Sequence, residues 1–280
     1  VSTASSSEPL ALIAGSTQMP CIVAEQARSQ GRAVIAIAIE GVTEERVAEL
    51  ADEAHWLSWG DVGGFLSLLN ELAGRGVRAA VMAGKVEQQR IYQKSDRGGL
   101  KGLLSAVPVR HTDSLLEAIV RLMGGAGIEL LPSTDFLQPY IARQGTLTRR
   151  GADDREHDDI RHGWRLAKHL GALDIGQSVV VKDRAVVAVE AMEGTDACLR
   201  RAGDLAGPGT VLVKVAKPNQ DLRFDVPVVG AETIATMAAV GASALCIEAD
   251  MTVVFDKDAL CSAADAADIA VVARRATVDD

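Results

Sequence analysis

The sequence predicts an α/β protein of two domains, an N-terminal Rossmann-like parallel sheet and a C-terminal mixed α/β sheet with hairpins. Three observations predict it. In the first half, apolar runs rich in Val, Ile and Leu alternate with Ala-rich amphipathic segments, the pattern of strands and crossover helices packed in layers. In the second half, apolar runs come in pairs around short charged turns, which is the pattern of hairpins. Between the halves, "ARQGTLTRRGADDREHDDIRHGW" replaces apolar periodicity with charge and glycine. We therefore expect a disordered tail over residues 1–9, a Rossmann-like domain over 10–142, a linker over 143–155 and a second domain over 156–280.

Taken in order, "LALIAG" reads as a strand and is followed by a helix from about Pro20 to Gln30, with Pro in its first turn. "AVIAIAI" is a second strand, "HWLSW" a short third, and a helix follows near 61–74 before "AAVMAG". From Lys85 to Pro108 the pattern breaks into Gln, Lys and Gly around "RGGLKG", as in a long loop or a broken helix. A helix near Thr112–Met123 and the strand "IELLPS" close the domain. In the second domain, Asp153 or Asp154 can cap a helix bearing Ile160, Trp164, Leu166, Ala167 and Leu170 at helical spacing. "SVVVKDRAVVAVEA" is a hairpin around Lys182, Asp183 and Arg184. A helix (195–206), the strand "TVLVKVA", "VPVVG", a helix (231–240), a second hairpin across "LCIEADMTVVFD", a helix (257–267) and "IAVVARR" complete the chain.

Composition narrows the function. At 280 residues with 48% hydrophobic and 24% charged residues the chain can bury two ordinary cores, and with 3% aromatics those cores must be aliphatic. The net charge of −9 argues against nucleic acid, which requires a basic face to displace counterions. The opening "VSTASSSEP" does not read as a signal peptide and no apolar run is long enough to span a bilayer, so a cytoplasmic protein is expected. Cys21, Cys198, Cys246 and Cys261 are far apart and read as buried free thiols, and the five histidines form no ligand pattern.

Three places concentrate chemistry. In "LIAGSTQMP", Gly15, Ser16 and Thr17 sit between a strand and a helix, where backbone N–H groups and the helix dipole can hold a phosphate or nucleotide. A plain strand-to-helix turn accounts for the same residues, and the full G-x-G-x-x-G is absent. Lys85, at the end of the fourth strand, can reach the same crevice or be a solvated loop lysine. In "VEAMEGTDACLRRAG", Thr195 and Asp196 are explained by capping, but Glu190 and Glu193 are not. Two carboxylates beside a helix start at Gly194 and Thr195 can hold Mg²⁺ and phosphate together. Finally, "KPNQDLRFDVP" leaves the strand "GTVLVKVA" with Lys217, Asp221, Arg223 and Asp225 in nine residues. If this strand neighbours the one before Glu190, both clusters and Lys214 meet at one sheet edge, where acids hold a metal and bases neutralise a phosphate. A surface salt-bridge network is the alternative.

At these residues the chain resembles a known family. "LIAGSTQMP", "ADEAHWLSWGDVG", "VMAGKV", "ALDIGQSVVVKDRAVVAVEAMEGTDACLRRAG", "VLVKVAKPNQDLRFDVPVVG" and "GASALCIEAD" are similar, in order and spacing, to the UDP-2,3-diacylglucosamine pyrophosphatases of the LpxI type. The resemblance implies a dimeric enzyme of lipid A synthesis, cytoplasmic and working at the inner membrane surface. It would use Mg²⁺ to cleave UDP-2,3-diacylglucosamine into 2,3-diacylglucosamine 1-phosphate (lipid X) and UMP, with water attacking the sugar-side phosphorus. The C-terminal domain would then be catalytic. Asp225 would be a metal ligand or the base, and Asp221, Glu190 and Glu193 would share metal binding and water positioning, with Asp225, Glu190 and Glu193 as the candidate metal ligands. Lys214, Lys217, Arg223, Gly194 and Thr195 would hold phosphate, and Gly15, Ser16, Thr17 and Lys85 the uridine end across an interdomain cleft. The family usually places a second Gly where this chain has Thr17. A nicotinamide-dependent oxidoreductase and a non-catalytic nucleotide or lipid sensor stay open beside this reading.

Overall fold

The computed structural model describes residues 8–85, 112–218, 220–223 and 226–277, with side chains of the helix at 112 described from residue 119 onward. Most of the expected tail, nearly all of the expected long loop, His111 and Asp225 lie outside the described residues. The chain divides into two compact units. One holds the described residues up to 137 together with Leu222 and Arg223; the other holds the remaining described residues from 138 onward.

The first unit alternates strand and helix: β1 (Leu10–Ala14), α1 (Met19–Ser29), β2 (Val34–Ile39), α2 (Arg46–Leu50), β3 (Glu53–Leu57), α3 (Val62–Gly74), β4 (Ala79–Ala83), α4 (Thr112–Gly125) and β5 (Glu129–Leu131). All described pairings in its sheet are parallel, in the order β3-β2-β1-β4-β5. This is the Rossmann order, whose topological switch point lies between β1 and β4. Strands β1, β2 and β4 are covered on both faces, which is why they read as unbroken apolar runs and not as alternating ones. Their many alanines leave room for Leu68, Leu69, Leu72, Met123 and Ile128 to fill the layer beside the sheet. Asp61 caps α3 by accepting from the Gly64 N–H at 2.8 Å.

The second unit contains β6 (Gly145–Thr146), α5 (Asp154–Ala172), β7 (Ser178–Lys182), β8 (Ala185–Val189), α6 (Thr195–Ala206), β9 (Val211–Lys214), β10 (Val228–Val229), α7 (Ala231–Ala239), β11 (Ala244–Glu248), β12 (Val253–Val254), α8 (Lys257–Ala266) and β13 (Ala270–Arg274). Its main sheet runs β6-β13-β11-β9-β7-β8 and is mixed: β9, β11 and β13 are parallel, whereas β7 is antiparallel to both β9 and β8. Helix α5 starts in a capping box, Asp153 accepting from the Glu156 N–H and Glu156 from the Asp153 N–H. Its Ile160, Trp164 and Ala167 pack on one face of the sheet, and residues of α6, α7 and α8 cover the other. Among the described residues no helix is long and apolar enough to cross a membrane.

Two sequence expectations need correction. "LCIEADMTVVFD" is not a hairpin: β11 pairs with β9 and β13, and β12 pairs with β10 in a separate two-stranded sheet. All five residues of β11 are buried and both of its edges are taken by parallel neighbours, so no edge is left for β12. Nor are β8 and β9 neighbours, because β7 lies between them. The short helix α2 and the edge strand β6 were not expected.

Candidate functional site

Strand direction decides where the polar residues of the second unit gather. Because β8 and β9 are both antiparallel to β7, their carboxyl ends point the same way, together with those of β11 and β13. That edge therefore collects Glu190 just past β8, Lys214 ending β9, Glu248 ending β11 and Arg274 ending β13, with Ser178 at the start of β7. In open α/β sheets ligands gather outside this end of the strands.

The intervening strand does not keep the two expected clusters apart, because Thr195 joins them. Its Oγ1 donates to Glu190 Oε1 at 2.8 Å and accepts from Lys214 Nζ at 3.2 Å; Lys214 Nζ also donates to the Val228 carbonyl at 3.0 Å. Ser178 Oγ stands 3.5 Å from the same Thr195 oxygen. Glu190 is 9% exposed and Lys214 8%, so this acid, hydroxyl and ammonium form a nearly dry network. Glu190 Oε2 is buried and has no hydrogen-bond partner among the described residues, an expensive state for a carboxylate oxygen unless a cation or donor meets it. Close approach builds this corner: a Cβ on Gly176 would overlap the Glu190 carbonyl oxygen, so only glycine lets the two turns touch.

Glu193 is differently placed. Arg201 donates to its Oε1 at 2.6 Å and the Ala191 N–H to its Oε2 at 3.1 Å, while Gly194 N-caps α6. Its own backbone N–H, then Arg201 and the Ala191 N–H, hold its carboxyl below the usual range. Lys217 lies on the loop leaving β9 and pairs with Asp174 at 2.6 Å. Asp221 is half-buried on the same loop, and Arg223 is counted with the first unit. Among the described residues no group of three His, Cys, Asp or Glu side chains is set to hold a metal ion. Of the expected ligands that are described, the buried Glu190 with its open oxygen fits a divalent cation; Glu193 has both oxygens engaged.

In the first unit, Gly15, Ser16 and Lys85 do come together at the carboxyl ends of β1 and β4. The Ser16 N–H donates to the Lys85 carbonyl at 2.9 Å, the Lys85 N–H to the Ser16 carbonyl at 3.1 Å, and Ser16 Oγ to the Lys85 carbonyl at 2.7 Å. Gly84 has φ +94°, and a Cβ there would overlap the Ser16 carbonyl oxygen, so the two turns fit only with glycine at this position. Thr17 itself has φ +77°.

Sequence reasoning passed over Ser178, Lys168 and Glu248. Glu248 carried the signal that exposed Glu190, an acid closing an apolar run; Lys168, inside a charged helix face, carried none.

A doubly wound parallel sheet followed by a mixed sheet, with a buried acid, hydroxyl and lysine at the carboxyl edge of the second, defines a two-unit α/β protein with a polar cluster at a sheet edge. Residues 9–140 match the LpxI N-terminal domain and residues 143–272 the LpxI C-terminal domain. The chain belongs to the LpxI family. It is 31% identical over 267 residues to the UDP-2,3-diacylglucosamine pyrophosphatase LpxI of Caulobacter vibrioides, covering 91% of this chain and 94% of that protein. Among solved structures, a biotin carboxylase domain of a thermophilic 2-oxoglutarate carboxylase bound to ADP is 18% identical, with a TM-score of 0.27 over 61% of this chain and 34% of that one. The corresponding Hydrogenobacter thermophilus domain dimer is 16% identical, with a TM-score of 0.26 over 70% and 41%. Likeness that weak carries no argument here.

Proposed function

We propose that the chain hydrolyses UDP-2,3-diacylglucosamine to 2,3-diacylglucosamine 1-phosphate and UMP, a step of lipid A biosynthesis. Membership of the LpxI family and the 31% identity to a named UDP-2,3-diacylglucosamine pyrophosphatase support the reaction. The observation that supports this siting is the Glu190, Thr195 and Lys214 network, with one buried carboxylate oxygen left open. Diphosphate hydrolysis needs charge neutralised on non-bridging oxygens and a water held in line. Lys214 and Lys217, with the N–H groups that open α6 after Gly194, would hold the phosphate oxygens. Glu190 would orient the water or hold Mg²⁺ together with Asp225, and Mg²⁺, when bound, would supply the remaining neutralisation. Asp221 would assist from the loop. Thr195 keeps Glu190 and Lys214 in fixed orientation, and Glu193, tied to Arg201, shapes the turn between them. The inner membrane surface that carries the lipid substrate, and a second copy of the chain, are the proposed partners.

The test is to incubate the purified protein with UDP-2,3-diacylglucosamine and separate the products. We expect UMP and the sugar 1-phosphate, loss of turnover on chelation and its return with Mg²⁺. Glu190→Gln should lower kcat by about a hundredfold or more in a folded protein. Substrate left intact with and without Mg²⁺ would overturn the reaction; full turnover in the chelated protein would overturn the metal alone.

A further inference from the structure

On the α5 side of the same sheet lies a second buried charge cluster that the proposed chemistry does not use. Lys168 Nζ sits 2.7 and 2.6 Å from Glu248 Oε1 and Oε2, and Glu248 is 4% exposed. The pair closes on one residue. Glu248 Oε2 accepts from the Ala216 N–H at 2.7 Å, and Lys168 Nζ donates to the Ala216 carbonyl at 3.0 Å. Both backbone groups of Ala216 are thus tied to one ion pair. Trp164 is buried beside it, with Lys168 Nζ 5.7 Å and the Arg274 guanidinium 4.6 Å from its ring centroid.

Ala216 is the residue before Lys217. From there the loop is held against the end of α5: the Lys217 ammonium meets Asp174 at 2.6 Å, the Lys217 N–H donates to Gln220 Oε1 at 2.7 Å, and a Cβ on Gly171 would sit 3.3 Å from the Lys217 Cα. A buried ion pair is a poor stabiliser, since packed apolar residues of similar volume often do as well. What this pair adds is direction. Its hydrogen bonds fix the peptide groups flanking Ala216, and with them where the chain after β9 sends Lys217.

We infer that Lys168 and Glu248 are positioning residues that hold the exit of β9 so that Lys217 meets the diphosphate. The inference rests on the functional reading above, in which Lys217 binds phosphate. A displacement of about 1 Å at such a group costs about a hundredfold in rate.

Removing one partner strands a buried charge and endangers the fold, so the informative variant removes both: Lys168→Met with Glu248→Leu in the full chain. The expected result is a Tm close to that of the parent, kcat/KM lowered about a hundredfold, and faster hydrogen exchange at amides 215–217. Lys168→Met with Glu248→Gln, which removes both charges but keeps an acceptor for the Ala216 N–H, should retain more activity than Lys168→Met with Glu248→Leu. A Lys168→Met, Glu248→Leu variant that melts like the parent and hydrolyses within about twofold of it would overturn the inference, because the pair would then be only structural. If the parent itself leaves the substrate intact, the functional reading fails, and exchange alone judges the tether: faster exchange at amides 215–217 supports it and unchanged exchange overturns it.

Discussion

Thr17 shows how one backbone angle can carry information about a site. A β-branched residue at φ +77° crowds its Cβ against the carbonyl that follows, a conformation that costs about 1–2 kcal/mol for an L-residue and nothing for glycine. A glycine at this position would therefore be free of the cost. Thr17 recovers part of the cost, since its Oγ1 accepts from the Met19 N–H at 3.4 Å, at the start of a helix whose N-cap residue makes no side-chain bond. Two substitutions separate the contributions. Thr17→Ala loses the hydroxyl and keeps the strain; Thr17→Gly loses both. We expect the glycine variant to be about 1 kcal/mol more stable than the alanine variant in urea unfolding. Equal stability of the two, or an alanine variant that is the more stable, would show that the angle is not strained. Gly15, Ser16 and Lys85 were legible as a group because Gly after a strand and before a helix is a local signal. That the residue at 17 stands in a left-handed conformation was not, because nothing in "GSTQMP" announces the sign of φ.

At the scale of elements, the β7–β8 hairpin shows what local sequence determines and what it leaves open. Asp183 and Arg184 both have positive φ, +51° and +62°, as the two-residue turn that matches strand twist requires. Neither is Asn or Gly, and the compensation comes from α5. Asp159, fully buried, accepts from the Asp183 N–H at 3.1 Å and the Arg184 N–H at 2.5 Å, and Arg155 approaches it at 3.9 Å. Asp159→Ala should cost about 2–4 kcal/mol, the loss of two hydrogen bonds to a charged acceptor. Arg184→Gly should stabilise by about 1 kcal/mol. Urea unfolding of both variants checks the pair; an Asp159→Ala protein as stable as the parent would mean that the turn holds itself. The hairpin was legible because two apolar runs flank a charged pair within a dozen residues. The second expected hairpin had the same look and was wrong, since the order of strands depends on which edges are free, and those are set by residues far along the chain. The same non-locality hid β7 between β8 and β9, and with it the role of Thr195 as the link between Glu190 and Lys214.

For the whole molecule, the groups whose ionisation is shifted set a pH window for stability. On the acid side, Arg75 hydrogen bonding holds Glu53 at about 2 against an ordinary 4.5, and Arg275 holds Asp250 below its ordinary 3.8. Glu193 is lowered as described, and for Glu156 burial pushes upward but Arg150 and the Asp153 N–H prevail. Each of these carboxyls binds protons less readily folded than unfolded, so its contribution is complete above its ordinary value and is lost as pH falls through the lowered one, which for Glu53 is about 2. On the alkaline side, burial pushes the Cys198 thiol up to about 12 from 9.0, and it raises Cys21 and Cys261 as well. A thiol kept protonated by folding contributes fully below 9.0, and that contribution is lost as pH rises from there toward 12. The expected profile is a plateau of Tm from about pH 5 to 8.5, falling on both sides. Because Glu53 and Arg75 are partly exposed and screened by salt, Glu53→Gln should flatten the acid limb only in part, and more visibly at low ionic strength. Cys198→Ala should lower Tm at neutral pH through the lost packing and make the alkaline limb shallower. Thermal melts of parent and both variants across pH 2.5–11 decide the matter. A parent Tm that does not change between pH 4.5 and 2.5 would mean that these carboxyls gain nothing from folding. A Cys198→Ala protein with the parent's alkaline slope would mean that this thiol is not kept protonated by the fold.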